Sequence, residues 1–166
     1  MSDDIDGTLP DDVLLELGRL TWAAIKLEDV VYEVCKAVQP RGSVVYDDTP
    51  IGTRIDQALS DLGSRPEDDL RRATHAWLTA AKTSLVERNS VLHSVPVTFE
   101  PLSPDITPGN QDPMLAHFPK KRHLPAIHTS LTVEGLRPIR AHLENARLGW
   151  IDLARALWSN RPSKNP

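Results

Sequence analysis

Cysteine is nearly absent from this chain of 166 residues. A single thiol, Cys35, excludes an intramolecular disulfide framework and any zinc site built from several thiolates. Its place in an apolar helical pattern reads as a small buried side chain. Aromatic residues make up only 5%, so Leu, Val, Ile and Ala must supply most of the packing. There is no excess of positive charge. Lys and Arg number 19 against 23 Asp and Glu, for a net charge of −4. A basic coat for non-specific nucleic-acid binding is therefore excluded, although a local basic site is not. Long hydrophobic runs are missing too, because charges interrupt every apolar stretch well short of the roughly 18 residues that span a bilayer. The opening residues carry Asp3, Asp4 and Asp6, the opposite of the basic start of a secretory leader. A cytoplasmic protein that does not enter membranes is expected.

What is present is ordinary for a globular domain: 40% apolar and 25% charged residues, and a length that can bury one sizeable core. Four stretches have helical spacing, and none has the sustained alternation of a strand. The first spans about 11–38, where Val13, Leu17, Leu20, Ala24, Leu27, Val31, Val34 and Val38 recur in steps of four and three along one face. Pro10, Asp11 and Asp12 suit its first turn, and Pro40 with Gly42 stops it. The second is short, about 50–62, with Thr49 placed to cap it, Pro50 at its first position and Gly63 at its end. Ile51, Ile55, Ala58, Leu59 and Leu62 form its inner stripe. The third spans about 66–94. Its inner face is expected to hold Leu70, Ala73, Trp77, Ala81, Ser84, Leu85, Val91 and Leu92, and Pro96 ends it. The fourth runs from about 132 or 134 to 158, with Pro138 in its early turns and a stripe of Leu136, Ile139, Leu143, Ala146, Trp150, Leu153, Ala154 and Leu157.

Between the third and fourth helices, seven prolines fall within residues 96–125. This stretch cannot be helical, and a connection so long is usually functional or disordered. Its VPVTFEPL phrase suits a short extended piece, half of a small hairpin. The expected fold is all-α: an antiparallel four-helix bundle with three long helices, one short one and a Pro-rich loop before the last. The corresponding organisation is an acidic tail over 1–10, a helical domain over 11–158 that includes the loop 96–130, and a polar tail over 159–166.

Chemistry gathers at the end of the third helix. Arg88, Asn89 and His93 form Arg-Asn-x-x-x-His. A guanidinium can hold a phosphate with forked hydrogen bonds and stabilise growing negative charge. An imidazole can take or give a proton near neutrality. Asn89 lies four residues before His93, so the two share a face and Asn89 can orient the imidazole or a phosphate oxygen. Five helical residues turn through about 500°, which aims Arg88 and His93 roughly 140° apart. A second copy of the helix about a twofold axis would complete such a site, so a homodimer is expected. Arg-to-His spacing alone is common here, since Arg122 with His128 and Arg137 with His142 also satisfy it. Asn89 directly after Arg88 is what makes the motif specific.

On these residues the chain resembles the HEPN superfamily, helical bundles that carry an arginine, a polar residue and a histidine late in one helix. Many members are metal-independent endoribonucleases of toxin–antitoxin, phage-defence and RNA-processing systems, active as homodimers. The resemblance implies that His93 promotes attack by a ribose 2′-hydroxyl, that Arg88 stabilises the phosphate and that Asn89 positions them. The products would carry 2′,3′-cyclic phosphate and 5′-hydroxyl ends. It implies no cofactor and no metal, RNA as substrate, and an antitoxin or other protein as a partner. One toxin subfamily continues His-x-Tyr, whose tyrosine is modified by its antitoxin. Here that position is Val95, so the likeness does not extend to that mode of regulation. Some HEPN-like bundles are non-catalytic modules for dimerisation or for binding proteins or nucleotides, and that alternative stands beside the nuclease.

Further expectations concern the loop and the helix surfaces. Lys120, Lys121 and Arg122 form a dense basic run that could touch an RNA backbone. His117, His123 and His128 lack the spacing of metal ligands on a helix. Glu28 flanks the first seam, where it would either lie on the surface or pair with Arg88. The four tryptophans, Trp22, Trp77, Trp150 and Trp158, are expected in packing rather than as platforms for bases.

Overall fold

A computed structural model describes residues 9–40, 49–93, 95–97, 114–117 and 127–159. Four helices dominate it: α1 (Asp11–Val38), α2 (Ile51–Gly63), α3 (Asp69–Leu92) and α4 (Val133–Ser159). They pack against one another as the expected all-α bundle. The acidic tail over 1–8 and the residues after Ser159 lie outside the described residues.

The seam of α1 is buried as its spacing predicts. Leu20, Leu27, Val31 and Val34 are wholly inaccessible, and only Leu17 is half-exposed. Ile55 of α2, Leu78 and Ala81 of α3, and Leu136 and Leu143 of α4 meet them in one cluster. Full burial of each such Leu or Ile stabilises the fold by about 1.5–3 kcal/mol. On α3 the inner face is shifted from the expectation: Thr74 and Leu78 are buried, whereas Ala73 and Leu92 are exposed. Trp77 is buried as expected, and its indole Nε1 donates to the Ala146 carbonyl of α4 at 2.8 Å.

Helix directions follow from contacts between named residues. On α3 and α4, Glu87 meets His142 and Trp77 meets Ala146. The numbers fall on one helix as they rise on the other, so these two are antiparallel. On α1 and α4, Glu16 meets Arg140. The groove that continues from this pair is lined by Ala23 and Lys26 of α1 and by Glu144 and Arg147 of α4, so α1 and α4 advance in the same direction.

Local chemistry sets the ends. Pro10 and Pro50 are both extended (φ −53°, ψ 143° and φ −54°, ψ 140°), and each stands just before its helix rather than inside it. Thr49 therefore does not cap α2; its carbonyl instead accepts from Arg54 Nε at 3.0 Å. The third helix begins three residues later than Pro66 suggests, because Asp68 is extended and its Oδ1 accepts from the Arg71 backbone N–H at 2.6 Å. An aspartate in this capping role satisfies a backbone donor that the helix leaves unpaired. Pro138 sits in the second turn of α4, exposed, and the helix continues through it.

Within the Pro-rich segment, β1 (Val95–Val97), β2 (Met114–His117) and β3 (Ile127–Ser130) form a small antiparallel sheet in that order. Val95 pairs with Ala116, and Met114 pairs with Ser130. β1 falls in the VPVTFEPL phrase read as an extended piece. Residues 98–113 and 118–126, including Lys120, Lys121, Arg122 and His123, lie outside the described residues.

Two buried polar groups stand out. Glu16 is 1% exposed in α1 and accepts from Arg140 Nε at 2.6 Å and more distantly from Arg19 at 3.5 Å. Burial alone would raise its carboxyl, but Arg140 and Arg19 outweigh that and hold it below its ordinary value. Arg54 is 6% exposed, with its guanidinium 4.8 Å from the Tyr32 ring centroid. Cys35 is buried as expected, which pushes its thiol up to about 11 even though Arg54 pulls the other way.

Candidate functional site

Arg88, Asn89 and His93 all lie in the last turns of α3, the end that turns toward β1. Glu87 and Arg88 are about 100° apart on the helix, and they engage different neighbours. Glu87 Oε2 lies 2.8 Å from Nδ1 of His142 on α4. Arg88 Nη2 donates to Glu28 Oε1 on α1. The end of α3 is thus fastened to the helices on either side.

Arg88 is largely enclosed. Its side chain is 16% exposed and that of Glu28 is 34% exposed. Glu28 therefore pairs with Arg88 across α1 and α3, the alternative to the free surface position. Nε of Arg88 is buried and has no hydrogen-bond partner. Leaving a buried donor unpaired costs about 1–3 kcal/mol, so the guanidinium is held here by its charge partner and not by full satisfaction of its donors.

His93 is placed differently. It terminates α3, with φ −102° and ψ 9°, and its backbone N–H donates to the Asn89 carbonyl at 3.0 Å. Its residue is exposed, whereas Asn89 is half-exposed. The imidazole belongs to a residue open to water at the C-terminal end of α3. The end of α3 therefore carries an exposed imidazole and, one and a half turns earlier, an arginine fixed against a carboxylate.

Sequence reasoning did not assign Glu87 and His142 to this end of α3. His142 entered only through its spacing from Arg137, and nothing in the linear pattern tied it to a residue 55 positions away. Of the other expected site residues, Lys120, Lys121 and Arg122 lie outside the described residues. No cluster of three or more His, Cys, Asp or Glu suited to a metal occurs among the described residues. No described helix is long and apolar enough to cross a membrane. No protein-family model, curated protein or solved structure matches this chain.

Proposed function

We propose that this chain is a HEPN-like, metal-independent endoribonuclease that works as a homodimer in a cytoplasmic toxin or phage-defence system, with an antitoxin or other protein as partner. The observation that carries the reading is the exposed His93 at the close of α3, following an Arg88 that Glu28 holds in one orientation. In the proposed step, His93 accepts the proton of a ribose 2′-hydroxyl as its oxygen bonds to the adjacent phosphorus. The bond from phosphorus to the 5′-oxygen breaks, and that oxygen takes a proton from a second acid, supplied by the other protomer or by water. Arg88 stabilises the charge on the phosphoryl oxygens, and Asn89 orients the groups. The helical offset between Arg88 and His93 is the reason for placing two copies of the motif in one cleft. Lys120, Lys121 and Arg122 would add contacts to the RNA backbone.

The test is cleavage of total cellular RNA by purified protein with EDTA present. Wild type is expected to yield fragments with 2′,3′-cyclic phosphate ends, and His93→Ala is expected to lose at least about a hundredfold in rate. Equal rates for the two proteins would remove the catalytic reading.

A second reading, a non-catalytic module for dimerisation or for binding a protein or nucleotide, is favoured by one observation. The Arg88 side chain is enclosed and already paired with Glu28, as a clamp between helices would be. On that reading Arg88→Ala loosens the bundle, and neither it nor His93→Ala changes any RNA.

A further inference from the structure

The outer edge of the contact between α1 and α4 bears a groove that the motif at the end of α3 does not use. Arg19, Trp22 and Lys26 of α1 face Arg140, Arg147 and Leu148 of α4 across it. Trp22 departs from the packing role expected of it: the residue is 57% exposed. Lys26 Nζ stands 5.1 Å from the centre of its ring.

Charge is distributed unevenly here. The carboxylate that lines the groove, Glu144, accepts a hydrogen bond from Arg140 at 2.8 Å, and the buried Glu16 accepts from the same guanidinium at 2.6 Å. Among the described residues no carboxylate pairs with Lys26 or Arg147, and Arg19 is 58% exposed with only a 3.5 Å contact to Glu16. A protein of net charge −4 thus keeps unneutralised cations on both walls of one groove, around an indole open to solvent. Residues 19, 22 and 26 are spaced three and four apart, so one helical face carries a cation on each side of the ring.

We propose that this groove binds a single-stranded polynucleotide, with a base stacked on Trp22 and backbone phosphates on Lys26, Arg19 and Arg147. An aromatic platform between cations suits an alternation of flat bases and negative phosphates, and it requires no particular sequence. The choice of RNA as the polymer rests on the ribonuclease reading; the groove itself does not.

The experiment measures binding of a fluorescein-labelled single-stranded RNA 15-mer of mixed sequence to the full-length His93→Ala protein by anisotropy, with EDTA present. Trp22→Ala is expected to weaken binding about tenfold, and Lys26→Gln with Arg147→Gln by at least as much. The double variant should also flatten the salt dependence, by a slope of about 0.7 for each lost phosphate contact. Lys36→Gln, whose parent lysine pairs with Glu33 elsewhere on α1, should bind as its parent does. Urea midpoints show that each variant is folded. Unchanged binding by folded Trp22→Ala and Lys26→Gln/Arg147→Gln proteins overturns the proposal. So does displacement of RNA by inorganic phosphate that is indifferent to Trp22, which marks a simple anion site, or dissociation of a dimer by Trp22→Ala, which marks a contact between two copies. Cleavage by the wild type with no effect of the groove variants on binding sinks the groove and leaves the nuclease. Binding that depends on the groove, without any cleavage, does the reverse.

Discussion

Arg140 reaches 124 positions back along the chain to Glu16, donating from Nε to Oε1 at 2.6 Å while its Nη1 donates to Glu144 at 2.8 Å. The carboxylate is 2% exposed and the guanidinium 25%. Such a pair fixes how α4 lies on α1, because either partner left alone is a charge with little access to water. Arg140→Met is expected to cost about 3 kcal/mol at neutral pH, and Glu16→Met combined with Arg140→Met to regain most of it. Urea denaturation measures both. A single-variant loss no greater than that of Arg155→Ala, whose pair with Asp152 is fully in solvent, would show that the buried pair does not hold the helices.

The same carboxylate makes stability depend on acid. Burial pushes the Glu16 carboxyl up, but hydrogen bonds and charge from Arg140 and Arg19 prevail and hold it below 4.5. A carboxylate depressed in the folded state binds its proton more readily when unfolded. Its contribution is thus present above the unfolded value and fades as the pH falls through the folded one. Glu16→Gln, which resembles the protonated form, should be less stable than wild type at pH 7. The gap should close as the pH drops from about 5 to 3. Denaturation midpoints of the two proteins that stay equally far apart over that range would contradict this account.

Gly18 lies inside α1, and a Cβ built there meets nothing within 4 Å. Glycine loses more backbone freedom than alanine on entering a helix, so Gly18→Ala should stabilise the protein by about 0.5–1 kcal/mol. For a domain of this size that is a rise of about 1–4 °C in Tm, read by a thermal melt. A lower Tm would mean that the glycine serves a close approach the protomer does not reveal, such as a second copy on this face.

The helices were legible because their information is local. Leu20, Leu27 and Val31 announce a buried face by spacing alone, and Pro10 and Pro40 bracket α1. Where two local signals compete the stronger sets the end: Pro66 suits the start of α3, but Asp68 captures the Arg71 N–H and starts it later. Glu16 carries a local signal of its own. It stands in register with Leu20, Ala23 and Leu27, and a carboxylate in an apolar seam implies a buried partner. Which cation supplies it is decided by how α1 and α4 pack, and spacing along the chain holds no trace of that. The candidate site divides the same way. Arg88 and His93 could be placed on their helix, while Glu28 meets Arg88, and His142 meets Glu87, only through tertiary contact.

Cys35 offers a probe of opening. It is 2% exposed, and burial pushes its thiol up to about 11. Only the thiolate reacts with disulfide reagents such as DTNB. At pH 8 the native protein should therefore label at the rate at which the bundle opens, and immediately in 6 M guanidinium. Prompt labelling of the folded protein would show that α1 exposes this side in solution.

The pair between Glu28 and Arg88 separates a clamp from a site. If Glu28 serves only to join α1 to α3, then Glu28→Gln and Arg88→Met each lower stability, and the double variant loses less than their sum. The coupling should be about 1.5 kcal/mol for a partly enclosed, charge-assisted hydrogen bond. If Glu28 also aims Arg88 at a phosphate, the two variants part company in cleavage. Glu28→Gln retains an acceptor at the same position, so its loss of stability should be the modest one of the clamp alone, yet it should cleave RNA about tenfold more slowly than that loss explains, because a neutral amide holds the guanidinium less firmly. Arg88→Lys keeps the charge but loses the planar fork, and should be slower still. Rates for Glu28→Gln that track its stability alone would assign Glu28 to the scaffold and leave Arg88 without an orienting partner.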